Sequence, residues 1–297
     1  MYGIYTGAIR VATTTMNVWM YVIGRLEKAI HDCETGCTKE DNCNVNETFV
    51  QTHSWDEAAA YYVGSIPKFT GQGGHLLYSL AENTCTAFGT CLTSGAQAGQ
   101  ALANNRILKA LRDGQFHLHA QRCGQAYVNL QIIRTYMKIP LVQNVLRYAY
   151  KLGVLNDTRD ETMAEGAAFA ATILPLVHDC NPDDAAIIFD NMNMGMGSPS
   201  NGNTTSRSRS ALDFVAVKQA LERNYYCMGW SCDDVGGLVD AFDGAYLGGA
   251  EPCVDNAALP DLDESSASAT PTALAIPGAN LNYSVYRMTD VEDLIVP

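Results

Sequence analysis

The sequence predicts an all-α fold: a disulfide-stapled helical bundle made of two related helical half-repeats with a cleft between them. Three observations carry this. Apolar residues recur at three-to-four spacing along most of the chain, strand-like alternation is confined to the region around Tyr283 and Tyr286, and there are ten cysteines. With 297 residues, 47% hydrophobic and 17% charged, the chain can bury one large core or two smaller ones.

The first helix is expected over residues 4–30, with Ile9, Ala12, Met16, Trp19, Met20, Ile23, Leu26 and Ile30 as its apolar stripe. A cysteine-rich loop follows over residues 32–46. The next helix is expected to open at Ser54-Trp55-Asp56-Glu57, a capping-box pattern, and to run to about residue 63. Shorter helices are expected over residues 76–82 and 98–111. A long one is expected over residues 126–150, kinked at Pro140, whose ring removes an amide donor and crowds the preceding turn. Thr158-Arg159-Asp160-Glu161 reads as the capped start of another helix. Asn181-Pro182-Asp183-Asp184 supplies a cap, a proline at the first helical position and an acidic first turn. The last helix is expected over residues 212–225. Residues 195–210, rich in Gly, Ser, Asn and Thr, read as a solvent-facing insertion. Residues 259–278 are rich in Pro, Ser, Ala and Thr, so the helical domain is placed at 1–250 and a linker-like segment at 251–297.

An internal duplication is visible in two places. Glu57-Ala58-Ala59-Ala60-Tyr61 aligns with Glu165-Gly166-Ala167-Ala168-Phe169 at an offset of 108, and Ile66-Pro67 aligns with Leu174-Pro175 at the same offset. Further on, Lys109, Asp113, Phe116 and Cys123 align with Lys218, Glu222, Tyr225 and Cys232 at 109. The half-repeats are accordingly set at about residues 1–123 and 124–250. The cleft between them is the natural place for a ligand.

Lys plus Arg total 19 against 32 Asp plus Glu, a net charge of −13. That balance disfavours nucleic acid, which requires clustered cations to neutralise phosphate. No apolar run reaches the ~18 residues that span a bilayer. The cysteines (Cys33, Cys37, Cys43, Cys85, Cys91, Cys123, Cys180, Cys227, Cys232 and Cys253) form no CxxC pair, which disfavours a zinc ribbon and favours disulfides. Neighbouring pairs such as Cys85–Cys91 and Cys227–Cys232 are candidates, but spacing alone does not derive the connectivity. Sequons stand at Asn46, Asn156, Asn203 and Asn282. Together these features predict a secreted, extracellular or periplasmic glycoprotein. The first residues lack the pattern of a signal peptide, so the chain reads as the mature or excised portion of a precursor. No nucleophile elbow, HExxH, P-loop or dinucleotide-binding GxGxxG in its strand–turn–helix context occurs, and an enzyme is not expected.

Three stretches resemble a known family: Trp55-Asp56-Glu57-Ala58-Ala59-Ala60-Tyr61-Tyr62-Val63-Gly64-Ser65, then Ile139-Pro140-Leu141-Val142-Gln143 with Leu146-Arg147-Tyr148-Ala149-Tyr150, then Ala164-Glu165-Gly166-Ala167-Ala168-Phe169-Ala170 leading to Leu174-Pro175-Leu176-Val177-His178. They resemble the Fea1 family, the low-iron-inducible periplasmic iron-assimilating proteins of algae, to which phytotransferrins are related. The resemblance spans about residues 50–235. It implies a secreted or surface protein that captures ferric iron together with carbonate. It does not fix the ligand, because some relatives respond to carbon dioxide instead, and it supplies no ligand set.

Ferric iron is a hard cation that prefers carboxylate and phenolate oxygen, with imidazole acceptable. His53, Glu57 and Tyr61 lie four residues apart, so a helix begun slightly early places all three on one face. The competing reading makes Glu57 a capping residue and Tyr61 core. Glu165 lies in an apolar helical stretch and needs a partner, either a metal or one of Arg147 and Arg134. His178 closes a helix, where an imidazolium would also satisfy the dipole. His117 and His119, two residues apart, could meet one ion only in an extended segment. Met192, Met194 and Met196 have the alternation that suits Cu(I), although a hydrophobic helix end explains them equally. Glu57 and Glu165, as equivalents in the two halves, are expected to face one cleft. Their mutual repulsion would raise both pKa values unless a cation lies between them. The alternative function is a structural glycoprotein of a cell coat or extracellular filament, with cell-surface or self-assembly partners in place of a metal.

Overall fold

The computed structural model describes residues 2–36, 50–65, 74–193 and 212–254. Helix α1 (Tyr2–Ala12), a π-helical segment (Thr13–Val18) and α2 (Trp19–Thr35) follow one another without a break. Then come α3 (Val50–Val63), α4 (Leu77–Phe88), α5 (Leu102–His119) and α6 (Cys123–Gly153). The second half holds α7 (Asp160–Cys180), α8 (Pro182–Met192), α9 (Phe214–Glu222) and the short α10 (Tyr225–Met228) and α11 (Cys232–Val235). Among the described residues there is no strand, only the isolated bridges Cys91–Ala101 and Val239–Tyr246. The fold is all-α, as the periodicity requires.

Helix α6 spans 31 residues, about 46 Å, and is the backbone of the bundle. Its first half buries Leu130, Ile133 and Met137 in a core with Val22, Leu26, Ile30, Trp55, Tyr62 and Ile107. From Ile139 onward it serves a second core, with Val142, Val145, Phe169, Ile173, Val177, Ile188, Val217 and Leu221. The change of core falls between Met137 and Ile139, and Trp19 and Tyr136 pack against both sides. The first helical run spans the same divide. Helix α1 packs on α7 of the second half, whereas α2 packs on α3 and α6.

Several local expectations change. Ile9, Met16 and Met20 are exposed, while Val11, Thr14 and Thr15 are buried. The close approach of α7 at Gly7 selects the packing face there: a Cβ on Gly7 would stand 2.1 Å from Glu165 Oε1. Helix α3 starts at Val50, so Ser54 is a buried interior residue and the capping box does not form. Helix α7 has Arg159 at its cap without a side-chain bond, and Thr158 does not cap it. Instead Asp157 accepts from Arg159 Nε at 2.8 Å and from Thr162 Oγ1 at 3.0 Å. The Asn181 cap does form, accepting from the amides of Asp183 and Asp184. Pro140 is buried within α6, and the helix continues through it.

Four disulfides staple the described residues: Cys33–Cys123, Cys85–Cys91, Cys180–Cys227 and Cys232–Cys253. The neighbouring pair Cys85–Cys91 forms. Cys227 and Cys232 do not pair with each other, because α10 lays Cys227 against the end of α7 while Cys232 meets the chain returning at Cys253. Cys37 and Cys43 lie outside the described residues, as do the sequons at Asn46, Asn203 and Asn282, the insertion at 195–210, nearly all of the 251–297 segment, and Met194 and Met196. Asn156 is exposed in the turn after α6, with φ of 53°.

Candidate functional site

Helices α2 and α3 bring five polar or aromatic side chains together. The Tyr21 hydroxyl donates to Glu57 Oε1 at 2.5 Å, and Arg25, one turn further along α2, pairs with the other Glu57 oxygen. The Tyr21 and Tyr61 rings lie 4.6 Å apart, and Tyr61 is half-exposed. His53 lies one turn before Glu57 on α3, close enough to act on its charge, and is exposed. The hydrogen bond to Glu57 is the main reason that the Tyr21 phenol is pushed up to about 12, with burial adding to it. The same bond holds the Glu57 carboxyl below its usual range, and Arg25 helps. Arg25 Nε is buried with no hydrogen-bond partner among the described residues.

Glu165 repeats part of this arrangement in the second half. The Tyr148 hydroxyl of α6 donates to Glu165, and Arg10 Nη2 of α1 lies 3.5 Å from its other oxygen. Tyr148 stacks on Phe169 at 5.5 Å, in the place where Tyr21 meets Tyr61. Burial, followed by the Glu165 hydrogen bond, raises the Tyr148 pKa. The aligned pairs Lys109–Asp113 and Lys218–Glu222 also both form, at 2.7 and 2.5 Å. Only the Lys–acid pairs repeat at the matched offset; Tyr21 and Tyr148 lie 127 residues apart, and both arginines, Arg25 and Arg10, belong to the first helical run.

The two carboxylates do not share a cleft. Their arginines, Arg25 and Arg10, lie fifteen residues apart on one helical run, about 22 Å. The expected mutual repulsion is therefore absent, and Glu57 is lowered, not raised. Glu165 is held by Arg10 and Tyr148 and by neither expected arginine; Arg134 pairs with Glu27 instead. Glu165 lines a cavity of about 300 Å³ between α1, α4, α6 and α7, with Arg10, Arg147, Thr14, Asn144 and Phe169 among its walls. Glu57, Tyr61 and His53 are not part of that cavity.

His178 is exposed in the last turn of α7, thirteen residues and about 20 Å from Glu165, and meets none of the other candidates. His117 and His119 lie in the last turn of helix α5, so they point to different sides. Met192 is buried in the second core. Among the described residues no group of three His, Cys, Asp or Glu side chains is arranged to hold a metal. The sequence reading missed Tyr21, Arg25, Arg10 and Tyr148. One available signal was the Tyr21/Arg25 pair at helical spacing; another was Gly7 inside a helix, where glycine costs about 1 kcal/mol without a packing reason.

No family model, curated protein or solved structure matches the chain.

Proposed function

We propose that this protein is an extracellular or periplasmic ferric-iron-binding protein of iron assimilation, akin to the Fea1 family. Its cargo site is formed by Tyr21, His53, Glu57 and Tyr61. The observation that carries the reading is the Tyr21–Glu57 contact, with Tyr61 against Tyr21 and His53 one turn away. Two phenols, a carboxylate and an imidazole are the donor types a hard trivalent cation selects. Arg25 neutralises Glu57 while iron is absent. Its buried, unpartnered Nε is a donor left for a small anion such as carbonate, which would complete the coordination. The disulfides fit an oxidising compartment. No helix among the described residues is long and apolar enough to cross a membrane. The exposed Asn156 is accessible to glycosylation.

The test is titration of the full chain with ferric nitrilotriacetate in bicarbonate buffer. A visible tyrosinate-to-iron absorption band is expected. Tyr21→Phe and Glu57→Gln should each weaken binding roughly tenfold or more. Iron must displace the Tyr21 proton, so uptake should strengthen as pH rises and acid should release the metal. A colourless protein without stoichiometric iron on elemental analysis would remove this reading, and self-assembly into filaments would put the coat-glycoprotein role in its place.

A further inference from the structure

The cavity between α1, α4, α6 and α7 has a different chemistry from the iron ligands. Where the first half has His53 and Tyr61, the second has Glu161 and Phe169, so an imidazole and a phenol are missing. Guanidinium groups stand there instead. Arg10 and Arg147 both line the cavity, and the one acidic side chain lining it among the described residues, Glu165, is already engaged by Tyr148. Arg10 makes a single contact to Glu165, at 3.5 Å, and Arg147 forms no ion pair among the described residues. Lys151 adds further positive charge, with its Nζ 4.8 Å from the centre of the Tyr148 ring. In a chain of net charge −13, this is a local reversal of sign.

We propose that the cavity binds a small organic carboxylate, seated on the guanidiniums of Arg10 and Arg147. Guanidinium forks match carboxylate geometry in a way that single ammonium groups do not. Asn144 and the π-segment residue Thr14 supply polar wall, and Val11, Leu80 and Phe169 supply apolar wall. An apolar wall favours a ligand with a carbon skeleton over a strongly hydrated inorganic ion. The volume, about 300 Å³, is that of a small-molecule site. The π-helical segment Thr13–Val18 places Thr14 and Thr15 along its edge, and such segments recur at functional sites because they break regular helical register. Gly7 removes the one Cβ that would push Glu165 out of position, so the Arg10–Glu165–Tyr148 arrangement is built into the packing of α1 on α7.

The experiment is isothermal titration of the full, iron-free chain with succinate and citrate, and separately with inorganic phosphate and bicarbonate. Succinate or citrate should bind with a Kd of roughly 0.1 mM or tighter. Arg147→Gln and the half-exposed Arg10→Gln should each weaken that binding roughly tenfold. Arg112→Gln, an exposed site on α5, should leave it unchanged. Two variants on different helices keep the result interpretable if one of them destabilises the fold. The proposal is overturned if neither organic acid binds, if both arginine variants bind like the parent, or if phosphate and bicarbonate bind as tightly as the organic acids. The protein carries no iron in this measurement, so its failure leaves the iron reading standing, and failure of the iron titration leaves this one standing.

Discussion

Asp184 shows at the residue scale how the bundle handles a buried charge. It is 3% exposed and accepts from Arg223 Nε at 3.1 Å and from Asn224 Nδ2 at 2.8 Å, tying the start of α8 to the end of α9. Removing the carboxylate leaves Arg223 and one Asn224 N–H without this acceptor, although Asn224 Nδ2 keeps its 2.7 Å bond to the Ala220 carbonyl. The penalty of an unpaired buried donor exceeds the net worth of the bond itself. Arg223 is half-exposed and can turn to water, which lowers the penalty, whereas the buried Asn224 cannot. Asp184→Ala should therefore cost roughly 2 kcal/mol in urea unfolding, while Asp183→Ala, exposed in the same turn, should stay within about 0.5 kcal/mol. Equal losses would mean that the Asp184 network contributes nothing beyond the shared helix N-terminus.

At the scale of elements, the π-helical segment decides what α1 can touch. Deleting Thr13 would restore ordinary helical register and turn α1 by about 100° relative to α2. Gly7 and Val11 would leave the α7 interface, and Arg10 would leave Glu165. We expect the thermal midpoint to fall by several degrees, on the order of 1–2 kcal/mol for a domain of this size. Thr13→Ala, which keeps the residue count at an exposed position, should leave it nearly unchanged. A deletion variant as stable as the parent would show that α1 adapts by sliding on α7. Helix α6 has its own irregularity: Pro140 lacks an amide, and the Asn144 side chain binds the Pro140 carbonyl at 2.8 Å.

For the whole molecule, three of the four disulfides among the described residues connect segments 21 to 90 residues apart in sequence. Cys33–Cys123 closes a loop of 90 residues and ties α2 to the start of α6, while Cys85–Cys91 closes one of 6 at the end of α4. Chain entropy in the unfolded state makes the longer closure worth roughly 4–5 kcal/mol and the shorter about 2. The double variant Cys33→Ala/Cys123→Ala should accordingly lose about twice the stability of Cys85→Ala/Cys91→Ala. Denaturant midpoints measured on both decide it, and a reversed order would mean that local geometry outweighs chain entropy here.

The sequence by itself determined the helical class and the approximate positions of most helices. These depend on periodicity and local spacing, which are properties of neighbouring residues. It also supplied the Asn181 cap, since a cap is settled within one turn. It misled at Ser54, where helix formation begins at Val50 and absorbs the supposed cap. Cys227 and Cys232 were misread for a different reason, because spacing says nothing about which distant segment returns to meet a thiol. Only the tertiary structure decided that the first helix serves both cores, that Tyr21 and Arg25 claim Glu57, and that Arg10 and Tyr148 claim Glu165. Each of those contacts joins residues from different helices. Their distance depends on how the bundle packs, and no local pattern in the chain encodes it.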